Sequence, residues 1–330
     1  MPLPVEKQVV EATRPVRDRL AALFVEGKPP FEVYGLLSEF MTVEGKLLRP
    51  ALCLASCEAV GGKPEDAAPA AAAIEMFHNF TLIHDDIEDA SQLRRGKPCL
   101  HVKYGLPLAL NAGDGLFMMV WREALEMRGP RREDAQLRLL AAFTRVLEGQ
   151  AIELGWYAKK NWEVTEQDYR MVVEGKTGAL IAGACEVGGL LGGADDKTCR
   201  ALAEFGSGIG VGFQIIDDVL NVSGDEKKYG KEIGGDVVEG KRTLITIRAL
   251  QNLPKQKGER LRQILKKELK SSKDVAEAIA LFEDSGAIKS AARTADEEIS
   301  CALSKLDCLP KTKSRDFLLQ LARYITKREK

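Results

Sequence analysis

Residues 64–89 form a long, very apolar run that ends on three aspartates, Asp85, Asp86 and Asp89. Apolar positions recur near every 3.6 residues and strand alternation is weak, so the run predicts a helix. The alanines at 70–73 suit close helix packing. Asp85 and Asp89 lie four residues apart and share one helix face. Two stacked carboxylates repel each other unless a cation sits between them. Hard oxygen ligands of this kind suit Mg²⁺, which takes one or two carboxylates, several waters and substrate phosphates. Arg94 and Arg95 follow one short loop later. Guanidinium groups bind phosphate bidentately. The stretch therefore reads as a magnesium–diphosphate site, against the alternative of a solvated acidic helix end with a basic loop.

A second acidic pair, Asp217 and Asp218, closes the run FQIIDDVLN at 213–221. Two acidic helix ends so far apart in sequence suit opposite walls of one cavity holding one cluster of metals. The remaining chain also reads as helix. The spans expected are 5–25 with a kink at Pro15, one helix before Gly45, 49–60, 107–128, 131–158, 165–191 and 195–222. Shorter, more charged helices follow at 243–252, 256–270, 273–284, 287–305 and 312–328, after a glycine-rich loop over 223–240. Residues 90–104 read as loop. With no repeat and no low-complexity linker, 1–330 is expected to be a single all-α domain.

Composition narrows the classes further. A formal net charge of −1 argues against non-specific nucleic-acid binding. No stretch approaches the roughly 20 apolar residues of a membrane span, and no signal peptide is read at the N-terminus. The seven cysteines contain no CxxC pair and read as reduced thiols in a cytoplasmic protein. Gly206, Gly208, Gly210 and Gly212 follow no strand, so they are read as helix-packing positions rather than a dinucleotide fingerprint.

GKLLRP at 45–50, HNFTLIHDDIED at 78–89, RRGKP at 94–98, KT at 176–177, FQIIDD at 213–218 and GKEIGGDVVEGKRT at 230–243 occur in the order found in the trans-isoprenyl diphosphate synthases. The chain resembles that family over nearly its whole length. HVKYGLPLALNAGD at 101–114 is similar to the archaeal geranylgeranyl diphosphate synthases. The resemblance implies a helical bundle around a deep central cavity, a homodimer and, by analogy, three Mg²⁺ ions. It implies condensation of isopentenyl diphosphate with an allylic diphosphate: dimethylallyl, geranyl or farnesyl.

The resemblance also implies roles. Asp85, Asp89 and Asp217 would hold metal, with Asp86 and Asp218 completing the surroundings. Arg94, Lys176, Lys231 and Lys241 would grip the allylic diphosphate, while the oxygens of Thr177 and Gln214 stabilise the allylic cation. Lys46 and Arg49, three apart at a helix start, would bind isopentenyl diphosphate, completed by His78 and Arg95. Released diphosphate is the expected proton acceptor.

Chain length turns on the helix before Asp85. Phe80 and Phe77 would lie roughly 7.5 and 12 Å below the reaction centre at 1.5 Å per residue. In the family a bulky residue five positions back acts as a floor, and Thr81, at four back, is small. One aromatic instead of two points to a C20 product, with C15 and C25 as alternatives; ordinary core packing is the competing role for Phe77, Phe80, Phe117 and Met118. One position departs from the pattern, since Asn221 stands where the family usually has a further aspartate. That admits a non-catalytic regulatory subunit as an alternative. The intact Lys46, Arg49, Arg94 and Arg95 argue against it, and against a class I terpene cyclase, which needs no isopentenyl diphosphate site. A helical scaffold would show repeats, which are absent.

Overall fold

The helical period read along the chain is the one the backbone adopts. A computed structural model of the protein describes residues 4–42, 45–224 and 233–326. Among these, helices alternate with short connections, and the one sheet is a two-stranded hairpin. The architecture is all-α. No helix among the described residues is long and apolar enough to cross a membrane.

The chain divides into two compact units, Met1–Phe143 with Gly183–Ala203 and Asp307–Leu321, and Thr144–Ala182 with Glu204–Leu306 and Ala322–Lys330. In the first unit, α1 (Val5–Ala12) and α2 (Arg14–Leu23) break at Thr13, where one kinked helix was expected. Pro15 explains the break: it sits in the first turn of α2 and has no N–H to give the preceding helix. A π-turn, Phe31–Gly35, leads into α3 (Leu36–Met41), then α4 (Leu48–Ala59). The central helix α5 (Pro64–Glu88) packs against α4 and against α7 (Leu106–Leu125). Its alanines at 70–73 are fully buried, as their small volume predicted. Between α5 and α7 lie the hairpin β1 (Leu93–Arg94) and β2 (Lys97–Pro98), and the short α6 (Leu100–Tyr104), where a plain loop was expected.

An aromatic cluster joins α5 to α7 and to α8 (Arg132–Ala158). Phe77 stacks on Phe143 at 3.8 Å and 7°, and Phe80 lies 5.1 Å from Phe117. Trp121 closes the group against Phe117 and Phe143. Met118, grouped with these phenylalanines in the sequence reading, is 64% exposed and points away. It follows Phe117 by one residue, and a 100° step on a helix turns it out of the cluster. Phe77→Ala removes a fully buried, stacked ring and is expected to cost about 3–5 kcal/mol, read from the shift in chemical denaturation.

The second unit is built on α9 (Glu166–Val173), a π-turn over Glu174–Gly178, the start of α10 (Ala179–Leu191) and most of α11 (Asp196–Ser223). It continues through α12 (Gly235–Glu239), α13 (Leu244–Asn252), α14 (Lys255–Lys266), α15 (Ser272–Asp284) and α16 (Ala287–Ser304); α17 (Lys313–Thr326) begins in the first unit and ends in the second. The glycines of α11 work in two pairs. A Cβ on Gly210 would lie 2.7 Å from Gly178 Cα, and one on Gly206 2.6 Å from the Ile181 carbonyl. Gly208 and Gly212 make the same approach to Ala302 and Ile299 of α16. Their spacing lets three helix backbones meet, which is the packing role expected of them.

Candidate active site

In the first unit, α5 ends within one residue of the expected position. Asp89 is its C-cap and its N–H donates to the Asp85 carbonyl, so the two carboxylates stand one turn apart at a helix C-terminus. That end carries the negative pole of the helix dipole and attracts cations. Asp85 is half-buried and Asp89 exposed, whereas Asp86 is buried. Asp86 Oδ1 accepts from Arg94 Nε at 2.8 Å, so Asp86 and Arg94 hold each other. The hairpin sets the arginines: Arg95 and Gly96 occupy its turn with φ of +52° and +77°. Positive φ at both central residues is the two-residue turn that matches strand twist. Arg94 thus faces back to α5 while Arg95 is exposed.

Lys46 and Arg49 do not share a helix face as expected. Helix α4 starts at Leu48, and Leu47 has left-handed φ and ψ of 50° and 35°. Lys46 therefore precedes the helix and is exposed; Arg49 lies in its first turn. A buried carboxylate not singled out from the sequence organises this region. Glu75 is 4% exposed, and a Cβ on Gly45 would lie 3.1 Å from its Oε1 and 3.2 Å from Arg95 Nη2. Burial raises the Glu75 pKa, and Arg49, Arg95, Asn79 and Arg17 oppose the shift. Glu75 is the lone charge between residues 67 and 84, which was its legible signal. Burial, then the charges of Arg49, Arg95 and Arg94, hold His78 well below the usual histidine range. His78 is thus neutral among three guanidinium groups. A cavity of about 260 Å³ is lined by Arg17, Gly45, Leu47, Glu75, Asn79 and Arg95 among others, but not by Lys46, Arg49 or His78.

In the second unit, Asp217 and Asp218 lie near the C-terminus of α11 and repeat the same division. Asp217 is half-buried. Asp218 is buried and accepts from Tyr169 Oη at 2.7 Å and from Gln214 Nε2 at 3.0 Å. Thr177 Oγ1 donates to Gln214 Oε1 at 3.0 Å, so Thr177, Gln214, Asp218 and Tyr169 form one chain. Burial and the neighbouring Asp236 carboxylate raise the Asp218 pKa. Lys176 sits in the π-turn with its Nζ 2.7 Å from Glu153. Glycines make room for that turn: a Cβ on Gly149 would lie 2.5 Å from Lys176 N.

Lys241 Nζ lies 2.9 Å from Asp236 and 3.0 Å from Glu239. Burial lowers the Lys241 pKa, but the two carboxylates outweigh it and raise it. Asn221 is buried, and its Oδ1 accepts from the Asp236 N–H at 2.9 Å. Its amide thereby fixes a loop that carries a carboxylate of its own. Lys231 lies outside the described residues. The cavity at this site, about 90 Å³, is lined by Lys176, Thr177, Gln214, Asp218, Lys241 and Arg242 among others.

Among the described residues, no three His, Cys, Asp or Glu side chains converge into a ready metal cage. The donor set nonetheless fits Mg²⁺, which is held by one or two carboxylates and completed by water and phosphate oxygens. Asp85, Asp89 and Asp217 are the solvent-reaching carboxylates of their motifs, and Asp86 and Asp218 are engaged by Arg94, Tyr169 and Gln214.

Comparison with known proteins agrees with this geometry. Residues 32–282 match the family model described as polyprenyl synthetase. The chain is 40% identical over 291 residues to a short chain isoprenyl diphosphate synthase of Methanothermobacter thermautotrophicus, covering 88% of each. It is 38% identical to the geranylgeranyl diphosphate synthase of Methanosarcina mazei over 91% of both chains. The crystal structure of a geranylgeranyl pyrophosphate synthetase from Pyrococcus horikoshii superposes with a TM-score of 0.92 at 36% identity, over 98% of both chains. The acidic motifs, their cationic neighbours and these matches together place the chain in the polyprenyl synthetase family, as a chain-elongating prenyltransferase.

Proposed function

We propose that this prenyltransferase is a Mg²⁺-dependent geranylgeranyl diphosphate synthase, active as a homodimer in the cytoplasm, with 1–330 working as one catalytic domain. The observation that carries the reading is the division of labour in both acidic motifs. In each, one aspartate is buried and fixed by hydrogen bonds while its neighbour stays within reach of solvent. Three bound Mg²⁺ ions would neutralise the leaving diphosphate as Lewis acids. Asp85, Asp89 and Asp217 would hold them; Arg94, Lys176, Lys231 and Lys241 would bind the allylic diphosphate. Thr177 and Gln214 present oxygens that stabilise positive charge on the allyl group without trapping it. Lys46, Arg49, His78 and Arg95 take isopentenyl diphosphate, His78 as a neutral hydrogen-bond partner.

Product length rests on Phe80. Its ring is 7% exposed and lies against Phe117 and His84. Phe77, stacked on Phe143, lies in the core and would be a second floor once Phe80 is removed. A single floor at Phe80 with small Thr81 beside it supports C20, in keeping with the names of relatives in Methanosarcina and Pyrococcus. Phe80→Ala is expected to shift products beyond C20, and Phe80→Ala with Phe77→Ala further, as read by chromatography of dephosphorylated products. An active Phe80→Ala enzyme with unchanged products would locate the floor elsewhere.

The dimer reading is supported by exposed apolar side chains on α7 and α8. On α8, Leu140, Leu147 and Leu154 recur every seven residues at 46%, 44% and 36% exposure, and on α7 Met118 and Leu125 are more exposed still. Sedimentation of the purified protein checks it. Asn221→Asp keeps the acceptor that the Asp236 N–H uses, so turnover should stay within about tenfold of wild type. An inert wild type awakened by Asn221→Asp would instead favour a regulatory subunit.

A further inference from the structure

Arg242 follows Lys241 in the chain and also borders the cavity that Lys241 lines, but its side chain has different partners. It is 7% exposed, a depth at which an arginine needs partners. The guanidinium lies between two rings, 4.4 Å from the Tyr157 centroid and 4.2 Å from that of Trp162. It also donates to three carbonyls: Nε to Asn161 at 3.0 Å, Nη1 to Gly240 at 3.2 Å and Nη2 to Trp156 at 3.5 Å. Trp156 belongs to the last turn of α8, where unsatisfied carbonyls and the negative end of the dipole favour a cation. Glu153, the partner of Lys176, stands on that same turn of α8 or just before it. Arg242 therefore ties the backbone of residues 240–243 to the helix end that also sets Lys176.

The loop is held from its far side as well. Thr246 Oγ1 donates to the Lys241 carbonyl at 3.1 Å, and Thr243 Oγ1 accepts from the Thr246 N–H at 3.2 Å. Gly240 turns with φ of +71° and packs so closely that a Cβ would meet the Leu265 carbonyl at 3.0 Å. With both sides of its backbone fixed, Lys241 starts from a set position, and its Nζ lies by Asp236 at the cavity lined also by Lys176, Asp218 and Arg242.

We propose that Arg242, clamped between Tyr157 and Trp162, is a positioning residue that aims Lys241 at the allylic diphosphate. This rests on the assignment of Lys241 to that substrate. Arginine is required because a planar guanidinium can stack on both faces while its edge meets three carbonyls; an ammonium is a point charge and cannot.

The test is a double-mutant cycle on the full-length enzyme, with KM measured for the allylic diphosphate and for isopentenyl diphosphate. Arg242→Lys should raise the allylic KM about tenfold, the scale of a lost desolvated cation–π contact and its hydrogen bonds, and leave the isopentenyl diphosphate KM unchanged. In a Lys241→Ala background the same change should add nothing further. Trp162→Leu, which removes one face of the clamp and keeps the arginine, should act in the same direction by a smaller factor. Equal losses for both substrates, or full additivity with Lys241→Ala, would reduce Arg242 to a general stabiliser and overturn the proposal. If Lys241→Ala itself leaves the allylic KM unchanged, the assignment of Lys241 falls, and the proposal with it.

Discussion

Asp85→Ala and Asp217→Ala should each lower turnover by at least about a hundredfold, the usual cost of one well-placed transition-state contact. The expectation follows from where the two carboxylates stand. Asp85 lies in the last turn of its helix, where the backbone already favours a cation, and both carboxylates reach solvent while the adjacent aspartate is engaged. Asp86 cannot replace Asp85, because it is buried and Arg94 holds its Oδ1. Asp218 cannot replace Asp217, because Tyr169 and Gln214 take its two oxygens. Folding should survive both changes, since neither residue is among the buried ones. Steady-state turnover at saturating substrates, with circular dichroism as the folding control, checks this. Near-normal turnover in either variant would remove that carboxylate from the chemistry.

Lys46→Ala should raise the KM for isopentenyl diphosphate by about tenfold to a hundredfold, the range of one hydrogen bond to a charged group, and leave the allylic KM alone. Lys46 is exposed in the loop before α4 and its loss should not touch stability. Arg49→Ala should show the same selectivity with an added fall in thermal midpoint. Arg49 helps to offset the buried charge of Glu75, and removing one partner of a buried charge is destabilising. Equal effects on both substrates would mean that this diphosphate site is wrongly assigned.

Element types and most boundaries were legible because the helices are long and strongly periodic. Helix α5 begins at Pro64 and ends one residue before Asp89, as its apolar run and acidic end indicated. Local rules failed where a single residue decides the backbone. Thr13 ends α1 because of Pro15, and Leu47 adopts a left-handed conformation that takes Lys46 off the helix. The acidic motifs were readable as motifs, since spacing alone puts Asp85 and Asp89 together. Their partners were not: Tyr169 and Asp218 are 49 residues apart, and no local pattern joins them. The hydrogen bond of Asn221 was out of reach for the same reason. Its amide oxygen accepts from the N–H of Asp236, 15 residues on, in the first turn of α12.

The most direct measurement is incubation of the purified protein with labelled isopentenyl diphosphate and each of dimethylallyl, geranyl and farnesyl diphosphate. It is run with Mg²⁺ and in excess chelator, and the products are resolved by chain length. The account predicts incorporation only with divalent metal and C20 as the common end product. No incorporation with any starter in Mg²⁺, or undiminished incorporation in chelator, would contradict it.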